Sequence, residues 1–216
     1  MEIYVLMELV LWIIVVAVLF LYGAFFFIKS FKDESKQFFL CISILFLLIG
    51  IQRIFSIIFD FFSPDVLYLF LVNLFLMLAP LSLLYYLERN VLKIRINYLT
   101  FVSIFLILLY MIAAYVTQFD RILIYFFIIP PLIISLGSIM AIYIYIFKNS
   151  SGGVRRSAIL IELGILITAS FWFIHGQFGR SAVDPQVNLV NVVGIISPMG
   201  YLVGLALMAI GFFRRD

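Results

Sequence analysis

Few side chains in this sequence have the makings of chemistry, and most of those stand inside apolar runs. "LLIGIQRIFSIIF", residues 47–59, carries Gln52 and Arg53. Glu8 interrupts the first apolar run and Asn73 the third. Glu162 interrupts the sixth, His175 closes it, and Asn191 lies near the start of the seventh. An unpaired arginine within hydrocarbon costs about 2.5–3.5 kcal/mol on insertion scales, so it calls for a partner. Glu8 is the best-placed carboxylate, with Gln52, Asn73 or Asn191 supplying further hydrogen bonds. Snorkelling of the long side chain to the headgroups is the alternative, and a Glu8–Arg53 pair that merely fixes packing is another. Intramembrane ionisable residues are candidate functional sites by default.

Hydrolytic or metal chemistry finds no support. One histidine falls short of the two or three that most zinc hydrolases use, and no HExxH, GxSxG or paired CxxC occurs. The expectation is a chain that is not an enzyme and holds no metal or cofactor. Retinal is excluded by position, because Lys148 is the last lysine and the final apolar run offers no amine. The lone Cys41 reads as a small core residue, with palmitoylation as the alternative.

The elements that must position these residues are helices. Of 216 residues, 66% are hydrophobic and 12% charged, where a soluble domain averages about a quarter charged. Mean hydropathy is +1.26. The chain breaks into seven apolar runs of the ~20 residues needed to cross a ~30 Å hydrocarbon core. They fall at about 3–28, 38–62, 66–87, 98–116, 122–147, 157–175 and 188–213. In lipid every backbone amide must be satisfied within its own segment or a closed barrel, and runs this long and continuous favour helices over strands. The fold class is therefore all-α, a seven-transmembrane-helix bundle forming one membrane domain over 1–216. The first run lacks a basic flank and exceeds a signal peptide's apolar length, so it reads as a retained helix.

Basic residues orient the bundle. Lys29, Lys32 and Lys36 fall in the first loop, Arg89, Lys93 and Arg95 in the third, and Lys148, Arg155 and Arg156 in the fifth; Arg214 and Arg215 follow the last run. The even-numbered loops carry only Arg121 and Arg180. That asymmetry predicts an outside N-terminus and an inside C-terminus, in the cell membrane. It also accounts for the net charge of +3 without nucleic acid, since aromatics sit in the apolar runs and not in a basic groove. With ~1.5 Å of rise per residue, Arg53, Glu8 and Asn73 come to about 7–10 Å below the outer edge. His175 and Asn191 lie near that surface. Glu162 lies about 8 Å inside the opposite edge, where it is a candidate coupling acid or a partner for Arg155 and Arg156.

"LLYYLERNVLKIRINYLTFVSIFLILL" and "SSGGVRRSAILIELGILI" couple basic turns to apolar helices. In this, and in its span number, the chain resembles the seven-helix sensor region of prokaryotic histidine kinases and stand-alone archaeal proteins of similar design. The resemblance implies a ligand sensor; with the sequence closing at Asp216, a separate protein would carry the output. "ERN" at 88–90 and "SPMGY" at 197–201 are similar to motifs of G-protein-coupled receptors, although that family's outer cysteine pair has no counterpart here.

The functional expectation is a receptor-like sensor in the lipid bilayer. Glu8, Gln52, Arg53, Asn73, His175 and Asn191 would line an outer ligand site for a small or lipidic ligand, with Arg53 meeting an anionic group. Arg89, Lys93, Arg95, Arg155 and Arg156 would face a signalling partner inside. A small transporter coupled through Glu162, and a structural subunit without a ligand, are the alternatives.

Overall fold

A computed structural model of the chain describes residues 3–32, 35–117, 121–175 and 187–213, with the side chains of 121–125 and 187–191 outside that description. Every regular element among them is helical: α1 (Ile3–Lys32), α2 (Lys36–Ile57), α3 (Val66–Asn90), α4 (Tyr98–Val116), α5 (Arg121–Asn149), α6 (Gly152–His175) and α7 (Val187–Phe213). All seven are long and apolar enough to span a membrane. Their outward faces are apolar too. On α4, Phe101, Phe105, Leu108, Ile112 and Tyr115 are all exposed, the reverse of a water-soluble surface and the pattern a bilayer requires. The chain is a multi-pass membrane protein.

The helices run further than the apolar stretches. α1 continues through Lys29 to Lys32, α3 through Arg89, and α5 through Lys148; α6 starts ahead of Arg155 and Arg156. Hydropathy falls where charge begins, but a charged residue is no helix breaker, so the backbone continues towards the headgroups. Between the fifth and sixth runs only Ser150–Ser151 stay outside helix, with Gly152 at φ 62° opening α6. Hydropathy also gave no sign of the π-helical segment Ile58–Phe62 that extends α2.

Packing divides the chain into two compact units, one formed by Met1–Val18 and Tyr143–Asp216, the other by Leu19–Ile142. In the first, α6 and α7 pack along their length through glycine. A Cβ on Gly164 would lie 2.7 Å from both the Gly204 carbonyl oxygen and the Met208 amide nitrogen, and one on Gly211 would lie 2.9 Å from the Ser157 carbonyl. The two backbones therefore touch, as the Gly200/Gly204 spacing implies.

In the second unit, the later half of α1 packs on α2 through Phe26, stacked on Phe39 and Phe46. The Ser43 hydroxyl donates to the Gly23 carbonyl at 2.8 Å. Met77, Ile107, Tyr110, Ala114 and Ile128 form the core between α3, α4 and α5. The start of α4 is held from a distance. Asn97 occupies its N-cap position but makes no capping bond. Fully buried Glu88, on α3, instead accepts from the Leu99 and Thr100 amides (2.8 and 2.9 Å) and from the Thr100 hydroxyl. A carboxylate at a helix N-terminus satisfies donors with no intrahelical partner and complements the dipole. The "ERN" segment thus serves a helix joint, and Arg89 donates to the Tyr85 hydroxyl at 2.9 Å.

Candidate functional site

The polar residues of the apolar runs gather in two places, one in each unit. In the first unit, Glu8 and His175 meet: Oε1 lies 3.6 Å from Nδ1, with the side chains 13% and 5% exposed. Trp12, one turn beyond Glu8 on α1, covers the imidazole with ring centroids 4.5 Å apart, and Tyr201 of α7 meets Trp12 edge-on at 5.7 Å. Glu8 also rests on Gly194 of α7, where a Cβ would come within 2.5 Å of Oε2. The start of α1 is thus docked on α6 and α7 by one carboxylate and one indole. Within its own unit Glu8 has His175 as a partner; the expected pair with Arg53 would join residues of different units.

Gly194→Ala tests this docking. The added methyl drives the carboxylate away from its seat, at an expected cost of about 1–2 kcal/mol. In a Glu8→Ala background the same change should cost about 1 kcal/mol less, a coupling that a double-mutant cycle on thermal unfolding reads directly.

The second place is the α2–α3 pair. The Ser82 hydroxyl bonds the Cys41 carbonyl at 2.9 Å, and Phe38 packs on Tyr86 and Phe55 on Tyr68. These contacts set an antiparallel register, and the α2 residues making them, 38, 41 and 55, follow helical spacing. Gln52 falls on that same stripe facing α3. The register brings Asn73 level with Gly50–Ile51. However, α3 meets α2 through Tyr68, Phe75, Ser82 and Tyr86, and Asn73 lies about 150° round the helix from that stripe, so it does not face Gln52. Gln52 is 0% exposed, Arg53 1% and Asn73 2%. Neither the Nε2 nor the Oε1 of Gln52 has a hydrogen-bond partner among the described residues, nor does the Nδ2 of Asn73. Arg53 is engaged within the chain. A turn further on, α2 passes into the π-helical Ile58–Phe62, where the Ser56 hydroxyl donates to Asp60 at 3.3 Å. Such segments recur at functional sites because they re-aim side chains at a small cost in helix regularity.

The remaining expected residues separate. The side chain of Asn191 lies outside the described residues. Glu162 is half-buried on α6, with its Oε2 buried and lacking a hydrogen-bond partner among the described residues. Arg89, Lys93 and Arg95 are exposed in the second unit, Lys93 with φ 54° in the turn between α3 and α4; Arg155 and Arg156 are exposed in the first, Arg155 lying 4.7 Å from the Phe147 ring centroid. Trp12 and Gly194 escaped notice in the sequence because an aromatic or glycine in an apolar run carries no polar signal, and Tyr201 was noticed only within "SPMGY". Among the described residues no group of three or more His, Cys, Asp or Glu side chains is placed to hold a metal ion.

No protein-family model, curated protein or solved structure matches this chain.

Proposed function

We propose that the chain is a receptor-like sensor of the cell membrane, with its N-terminus outside, and that its ligand binds at Gln52 and Arg53 on α2, where Gln52 faces α3. One observation carries the reading: the fully buried amide of Gln52, on the face of α2 towards α3, has a donor and an acceptor that no group in the described chain satisfies. Each such atom costs about 1–3 kcal/mol when left unpaired. Cores seldom retain that cost unless a bound species offsets it. The buried charge of Arg53 and the π-helical segment beside it mark the same stretch of α2.

Sensing requires the ligand to bind two states of the protein unequally. The π-helical end of α2 and the proline-bearing α3 supply elements whose geometry a ligand can bias. The readout lies at the opposite ends of these helices, with the basic turn of Arg89, Lys93 and Arg95. Arg155, in the first turn of α6, and Arg156 beside it run against the helix dipole, so an acidic partner or anionic headgroups, and not helix stability, account for them.

Mass spectrometry of small molecules co-purifying with the detergent-solubilised protein, beside Gln52→Met of verified fold, tests the reading. A defined species held by the wild type and lost in the variant is expected. Identical, lipid-only spectra would contradict it. The buried Oε2 of Glu162 favours a second reading, a proton-coupled transporter. That reading requires proton flux into proteoliposomes that Glu162→Gln abolishes; the sensor reading expects none in either form.

A further inference from the structure

The chemistry left open at Gln52 narrows the class of ligand, and the narrowing rests on the α2–α3 pair being the ligand site. Both ends of the Gln52 amide lack a partner, so the site presents a donor and an acceptor side by side from one planar group. A simple anion has only acceptors. It would satisfy Nε2 but leave Oε1 unpaired and set two oxygens carrying negative charge against each other in a buried place. Exchanging the N and O assignment of the Gln52 amide changes nothing here, because both atoms are open.

We infer that the ligand presents a carboxamide-type edge, an N–H beside a C=O, which closes a two-hydrogen-bond ring with Gln52. The expectation that Arg53 anchors an anionic group is replaced by a neutral, doubly hydrogen-bonding one. The same edge occurs on small water-soluble amides and on amide-headed lipids.

The test is thermal unfolding of the full-length, detergent-solubilised protein with two matched pairs of probes: benzamide against benzoate, and palmitamide against palmitate. At about pH 7 benzoate is ionised, so that pair differs in the donor and in charge while sharing shape. An amide is expected to raise the unfolding midpoint and its carboxylate to leave it unchanged. Stabilisation by benzamide would assign a small aqueous ligand, and stabilisation by palmitamide alone a lipidic one. In Gln52→Met, which keeps the volume and removes both hydrogen bonds, the apparent affinity for the amide should fall at least about tenfold. Asn73→Leu, on the far face of α3, should leave it unchanged. Stabilisation by the carboxylates, lost in Gln52→Met, would overturn the amide class while leaving the α2–α3 site standing. No stabilisation by any probe, or stabilisation that survives Gln52→Met, would overturn both.

Discussion

Replacing Gly164 with leucine is expected to prevent α6 and α7 from packing, and even Gly164→Ala should be strongly destabilising. The first atom of any side chain at this position meets the Gly204 carbonyl oxygen and the Met208 amide nitrogen at 2.7 Å. These are backbone atoms of a continuous helix and have no rotamer in which to yield. Overpacking of a core usually costs about 1–3 kcal/mol, and alanine here belongs at the top of that range because a whole helix must shift. Leucine exceeds it. Gly137 of α5 is the control, because nothing lies within 4 Å of its added Cβ. Gly137→Ala should be neutral or stabilising by up to about 1 kcal/mol, as expected where a helical glycine gives way to alanine without a clash. Unfolding in graded detergent reads all three variants. Equal stability of Gly164→Ala and wild type would show that the two backbones do not touch.

The second large effect concerns Glu88. Glu88→Ala removes an acceptor of three hydrogen bonds and leaves the Leu99 and Thr100 amides at the start of α4 without their partner. Hydrogen bonds to a charged group contribute roughly 1.5–3 kcal/mol each but not additively, so a loss of about 3 kcal/mol or more is expected. Glu88→Gln keeps one oxygen and turns a donor towards donors, so it should retain about half of the effect. Amide exchange at Leu99 and Thr100 should quicken in both variants, while α6 and α7 exchange as before. Unchanged protection at those two amides would mean that Glu88 is not their cap.

How much of this was legible in the sequence depends on what a residue's neighbours are. The seven spans follow from run length alone, because the bilayer demands internally bonded segments. Their ends did not, since Lys29, Arg89 and Arg155 lower hydropathy without stopping a helix. Depth along a helix placed Glu8 and His175 at the same end, but the side-by-side order of helices is not written in hydropathy. The carboxylate was matched to Arg53, the most costly charge, and its contact with His175 became visible only in the structure. Glu88 is the clearest loss. Its neighbours in sequence pointed to Arg89 and a receptor-like motif, whereas its partners lie eleven and twelve residues on, across a turn. Gln52, Arg53 and Asn73 were legible as polar residues at like depth. That Gln52 and Asn73 keep open donors and an acceptor became visible only once the helices were packed.

The most direct measurement is an experimental structure of the protein in a lipidic phase, at a resolution that distinguishes an organic molecule from water. A non-water species within hydrogen-bond distance of both ends of the Gln52 amide is the predicted result. Ordered water alone at those atoms, or side chains that close on them, would contradict a ligand site in the α2–α3 pair and leave these residues with a structural role.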